Sequence, residues 1–221
     1  MMDSRLKELY RSHFEPEEIE KKNRLWRTLC SDFFQKFIPD GSAVLDIGAG
    51  YCEFINNIKA QRKYAVDLNE DTRSFANPNV ELFSCSATHI DGLADNSIDV
   101  VFVSNFLEHL KTKQEVLEVL LEVHRVCRVG GRVLILQPNI KYVNQQYWDF
   151  FDHHIPLSDK SLAEALKMTG FEIDKIYPRF LPYTTKSTLP QYDFLVKLYL
   201  GLPFVWRLLG KQTFVVGRKV Q

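Results

Sequence analysis

The run Val44-Leu45-Asp46-Ile47-Gly48-Ala49-Gly50-Tyr51-Cys52-Glu53 holds the residues best suited to chemistry. Gly48 and Gly50, with Ala49 between them, let the backbone turn sharply and let a ligand approach it closely. A dinucleotide fingerprint has its third glycine at position 53, which here is Glu53. A pyrophosphate needs the bare amino end of a helix and a close glycine. A carboxylate at that place repels it and suits a cationic ligand, and Asp46 adds a second negative charge. The plainer alternative is that the glycines only shape a tight turn. Asp67 follows Asp46 by 21 positions, in Ala65-Val66-Asp67-Leu68-Asn69. At a strand end it can accept both hydroxyls of a ribose; otherwise it is a turn aspartate facing solvent.

S-adenosylmethionine has a sulfonium and an α-amino group attached to a nucleoside, and it answers to both features. Ser86 and Ala87, in Ser84-Cys85-Ser86-Ala87-Thr88, form a loop that can hold an adenine edge. Ser104 and Asn105, in Val103-Ser104-Asn105-Phe106-Leu107-Glu108-His109-Leu110, sit where the methionine part passes. Glu108 and His109 then lie at the cleft mouth. His109 titrates near neutrality and can serve as a general base, or it packs as a structural histidine. A further aromatic and histidine segment, Tyr147-Trp148-Asp149-Phe150-Phe151-Asp152-His153-His154, fits a substrate wall. His154 is the second candidate base. No metal is expected, because the His153-His154 pair has no acidic partner at ligand spacing.

The elements that must position these residues alternate. Apolar runs predict strands at Ala43–Ile47, Tyr64–Leu68, Val80–Cys85, Ile98–Ser104, Arg132–Gln137, Phe171–Ile176 and Thr213–Arg218. Helical spacing predicts helices at Phe54–Gln61, Gln114–Arg128 (ended by Gly130-Gly131) and Asp159–Thr169, the last capped by Ser158. Residues 1–38 read as two helices, broken at Phe14–Glu18, and form an amino-terminal helical lid. Strands apolar on both faces and alternating with helices imply a doubly wound α/β fold, Rossmann-like, with helices on both faces of the sheet. The main domain spans 39–221. An irregular loop is expected over 177–190, and an apolar helical stretch over Tyr192–Leu209, broken near Gly201 and Pro203.

Length and composition narrow the classes. The 221 residues make one large domain, 45% apolar and 25% charged. The formal net charge is zero, which argues against a nucleic-acid partner. Cys30, Cys52, Cys85 and Cys127 form no C-x-x-C pair and suit reduced thiols in a cytoplasmic protein. The charged amino terminus has no signal-peptide core. In Tyr192–Leu209 only nine residues in a row are uncharged, against the about 20 of a membrane span. Lys197 and Arg207 flank aromatic residues there, the pattern of an interfacial helix. A substrate lid, a peripheral contact with the inner face of a membrane, or simple packing on the sheet edge are the three readings.

The chain resembles the class I S-adenosylmethionine-dependent methyltransferases, of the methyltransferase type 11-like small-molecule group. The matching pieces are VLDIGAG (44–50), AVDLN (65–69), SATHIDGLADNSIDVVFVSNFLEHL (86–110), VHRVCRVGGRVLILQPN (123–139) and SLAEALKMTGFEI (161–173), over roughly residues 40–176. The resemblance implies a seven-stranded sheet whose last strand, TFVVGR, is antiparallel. It implies S-adenosylmethionine as cofactor and S-adenosylhomocysteine as product, with Asp46, Gly48 and Gly50 at the methionine end, Asp67 at the ribose and Ser86-Ala87 at the adenine. It transfers no catalytic base. The chain departs from the pattern at Ser86, where an acidic residue is common, and in an insertion over about 177–212. The expected reaction is in-line methyl transfer to an oxygen or nitrogen of a small molecule or a glycan or lipid-linked precursor. A protein substrate and a non-catalytic binding protein are the alternatives. A nicotinamide-dependent oxidoreductase is disfavoured by Glu53.

Overall fold

The computed structural model describes residues 16–183 and 192–221, with side chains from residue 20. Seven strands form a single sheet: β1 (Ala43–Ile47), β2 (Arg62–Val66), β3 (Val80–Phe83), β4 (Ile98–Ser104), β5 (Cys127–Pro138), β6 (Phe171–Tyr177) and β7 (Gln212–Lys219). Their order is β3-β2-β1-β4-β5-β7-β6. All neighbours are parallel except at β7, which runs antiparallel to both β5 and β6. The α-helices longer than four residues are α1 (Pro16–Asp32), α2 (Glu53–Asn57), α3 (Lys113–Val126), α4 (Asp159–Met168), α5 (Asp193–Gly201) and α6 (Pro203–Leu209).

Both faces of the sheet are covered, as strands apolar on both sides require. Leu45, Ile47, Val101, Val103, Val133 and Ile135 face one way and pack with Val116, Leu120 and Val123 of α3 and Leu162 and Leu166 of α4. The alternate residues Val44, Val100, Phe102, Leu134 and Leu136 face the other way. They meet Trp26, Leu29 and Cys30 of α1, Phe54 and Ile55 of α2, and Trp206 of α6. The chain runs outward from β1 to β3 and then returns to β4 on the other side of β1. The carboxyl ends of β1 and β4 therefore flank the switch point, where this fold class opens a ligand crevice.

Some boundaries differ from expectation. Gly130-Gly131 does not end a helix. α3 stops at Val126, Cys127 is already extended, and both glycines lie inside β5. The reason is close approach: a Cβ on Gly131 would stand 2.8 Å from the Arg128 carbonyl oxygen and 2.9 Å from that of Asp99. α2 is shorter than the helix expected over 54–61 because Ile58 is extended. β2 begins and ends two residues early, which leaves Asp67 and Leu68 in the loop beyond it. Tyr177 belongs to β6 rather than to a loop. The first of the two amino-terminal helices, and 184–190 of the expected loop, lie outside the described residues.

Candidate cofactor and acceptor site

The turn after β1 is built by the backbone. Gly48 and Gly50 take φ of +68° and +51°, conformations that cost a side-chain-bearing residue roughly 1–2 kcal/mol. The Gly48 amide donates to the Val66 carbonyl at 2.9 Å, tying the turn to the end of β2. A Cβ on Gly48 would come 2.5 Å from the Phe106 ring, so Phe106 lies directly against this turn. A Cβ on Gly50 would meet nothing within 4 Å. Gly48 is thus required by the protein's own packing, whereas Gly50 borders open space.

Asp67 sits across from Gly50 and is partly buried. Its Oδ2 accepts the Gly50 amide at 2.7 Å and its Oδ1 the Asn69 amide at 2.8 Å. Burial pushes its pKa up, and the two amides pull against that. Each oxygen keeps a lone pair for a further donor, so two adjacent hydroxyls fit this carboxylate. Leu68 beside it is half-exposed.

Asp46 is 3% exposed. Burial, and then the nearby Glu53 charge, raise its carboxyl well above the usual range, while the Ile55 amide donates to it. Glu53 does not stand alone as a counter-charge: its Oε1 pairs with Lys22 of α1 at 2.8 Å. Ser86 forms a local turn, with its hydroxyl 2.8 Å from that of Thr88, and Ala87 is buried beneath it. At the end of β4 Ser104 is partly buried, and the following Asn105 is exposed, with φ of +46°. The Asn105 amide donates to Leu136, keeping this loop on the end of β5.

Beyond Phe106 the chain leaves the glycine turn. Leu107–His109 makes one short turn of helix. The His109 Nδ1 lies 3.1 Å from the Asp152 carbonyl oxygen and 3.2 Å from Asp152 Oδ2. Burial acts to lower the His109 pKa, but the Asp152 hydrogen bond and the Glu108 charge outweigh it and hold it up at about 8. The same hydrogen bond draws Asp152 down to about 2. Burial holds the Glu108 carboxyl above its ordinary value.

The two neighbouring histidines part company. His154 is exposed. His153 is buried, its ring 5.1 Å from that of His109 and stacked on Phe150. Burial, then the His109 charge, lower its pKa to about 4. No acidic residue stands at ligand spacing from the pair in the sequence, and the fold brings Glu108 to His153 from 45 positions upstream. Spacing placed Glu108 at the cleft mouth but could not pair it with His153, and it did not single out Asp152. His153 carried a legible signal: residues 153–159 alternate buried and less buried, so His153 shares its face with Ile155 and Leu157.

A family model described as a methyltransferase domain matches residues 45–135. No curated protein matches the chain significantly. Among solved structures, an S-adenosylmethionine-dependent methyltransferase from Archaeoglobus fulgidus superposes with a TM-score of 0.66 at 20% identity, over 91% of this chain and 98% of its own. A chain from the complex between the Haloferax volcanii Trm112 methyltransferase activator and a candidate methyltransferase gives 0.67 at 13% identity, over 94% and 95%. The (4+2)-cyclase SpnF gives 0.59 at 15% identity, over 90% and 80%. At these identities the structures speak for the fold. The family match marks residues 45–135 as similar to a methyltransferase domain, and the solved structures share its fold.

Proposed function

We propose that the chain transfers the methyl group of S-adenosylmethionine to an oxygen or nitrogen of a small molecule or of a glycan or lipid-linked precursor. The observation that carries this reading is the pairing of Gly50, bordered by open space, with Asp67, whose carboxylate keeps capacity for two hydroxyls. In this reading Asp46, Gly48, Ala49, Gly50 and Glu53 line the methionine end, Asp67 and Leu68 the ribose, Ser86 and Ala87 the adenine, and Ser104 and Asn105 the approach to the sulfonium. Bound there, the cofactor supplies an electrophilic methyl group. The chain's residues then hold an acceptor within attacking distance, which accounts for most of the acceleration in such transfers. Where the acceptor is a hydroxyl, His109 or His154 takes its proton; His109 has the position for it, beside the loop that touches Gly48.

A peripheral role for the insertion is supported by its exposed Phe194, Leu198, Phe204 and Leu208. None of the helices among the described residues is long and apolar enough to cross a membrane. The four cysteines carry no disulfide, in keeping with a reducing, cytoplasmic setting. Since SpnF shows that this fold also serves a cyclase, turnover decides the matter. A lysate incubated with the protein and methyl-labelled S-adenosylmethionine is expected to yield a labelled small product by mass spectrometry. Label found only on proteins would replace the acceptor class, and no labelled product together with tight cofactor binding would favour a binding protein.

A further inference from the structure

Lys22 lies on the inward face of α1. Glu20, Lys21, Asn23 and Arg24 around it are exposed, whereas Lys22 is only partly so. It stands four residues ahead of Trp26, on the same helix face, and Trp26 is buried against Phe102 of β4. The Lys22 Nζ is 2.8 Å from Glu53 Oε1 and 5.4 Å from the centre of the Tyr51 ring, the residue directly after Gly50. Glu53 in turn is near enough to Asp46 and Tyr51 for its charge to raise both groups, second only to burial. A further tie fixes the two helices beside each other: Asn57 Nδ2 of α2 donates to Asn23 Oδ1 of α1 at 2.8 Å.

The fold thus brings a positive charge from α1 into a turn framed by the carboxylates of Asp46, Glu53 and Asp67. The chemistry of the cofactor gives that charge a task. The methionine end of S-adenosylmethionine is a zwitterion. Its α-ammonium calls for a carboxylate, which Asp46 and Glu53 supply, and its α-carboxylate calls for a cation. The pair of Glu53 and Lys22 presents both charges side by side, next to the open space that borders Gly50. A lysine suits the place. Its ammonium has three donors and a flexible stem, so it can keep Glu53 and take a second anion.

We propose that Lys22 binds the α-carboxylate of S-adenosylmethionine while Glu53 holds the α-ammonium, so that α1 is part of the cofactor site. This rests on the function proposed above and deepens it. It also sets Lys22 apart from a residue that merely neutralises Glu53, because the two roles predict opposite effects when the lysine is removed.

Two cations that differ only by the carboxylate separate these roles: S-adenosylmethionine and its decarboxylated form. Each is titrated calorimetrically into the full chain as wild type, Lys22→Met and Lys22→Arg. The wild type is expected to bind S-adenosylmethionine at least about tenfold more tightly than the decarboxylated ligand, the scale of one charge-assisted hydrogen bond. Lys22→Met is expected to lose about tenfold on S-adenosylmethionine and little on the decarboxylated ligand, which narrows the gap between them, and Lys22→Arg to keep most of it. An ion pair in contact with water adds little to stability, so the Tm of ligand-free Lys22→Met should stay close to that of wild type. Unchanged or tighter S-adenosylmethionine binding in Lys22→Met, an equal loss on both ligands, or a wild type that does not separate the two overturns the assignment; the last needs no variant. A wild type that binds neither ligand removes the functional reading together with the assignment, whereas binding with an unchanged gap removes the assignment alone.

Discussion

Gly48 and Gly50 share a left-handed backbone but differ in what surrounds them, and this separates packing from binding. Gly48→Ala meets backbone strain of roughly 1–2 kcal/mol and, in addition, the Phe106 ring. A loss of about 2 kcal/mol or more is expected, seen as a drop in Tm of roughly 4–8 °C. Gly50→Ala meets the strain without a clash, so its Tm should fall less while S-adenosylmethionine affinity falls more. Equal effects in both assays would remove the distinction. For the proton, His109→Ala and His154→Ala are expected to differ: turnover should fall on the order of 100-fold for the first and little for the exposed second. Unchanged rates in both would sink the base assignment. The left-handed turn at both glycines, and Asp67 just beyond the second strand, were legible because they follow from backbone geometry and spacing. Glu108 was seen in its motif but not as a partner of His153, since contacts across 45 positions leave no periodic trace.

At the scale of elements, the insertion divides into an anchor and a rim. Trp206 is 6% exposed and packs on Phe180, Tyr177 and Phe33; its indole N–H donates to the Tyr199 carbonyl. Trp206→Ala is expected to cost roughly 3–5 kcal/mol in a thermal or urea melt. Phe204 and Leu208 are exposed, and replacing both with Asp should move stability by only about 0.5 kcal/mol per site. If the rim meets a membrane, that double variant loses liposome flotation at an unchanged Tm; a wild-type chain that never floats removes the membrane reading. The break at Leu202, before Pro203, follows the sequence closely. The end of α3 did not, because two adjacent glycines normally signal a helix cap. Here Gly131 serves the close pairing of β5 with β4, at a shift in register near Ile98, and Gly130 takes a left-handed turn.

For the molecule as a whole, strand periodicity and strand order agree. The residues expected to touch the cofactor all fall at the carboxyl ends of β1 to β4, in the loops that follow, or, for Glu53, at the start of α2, around one switch point. That the cofactor lies there is the claim on which the rest depends. It is tested most directly by calorimetric titration of S-adenosylmethionine into the wild-type chain and into Asp67→Ala side by side. The account predicts one site per chain in the wild type, weakened at least about tenfold in the variant, the loss of a charge-assisted hydrogen-bonding partner to two hydroxyls. No binding to the wild-type chain, or equal affinity in the variant, would contradict it.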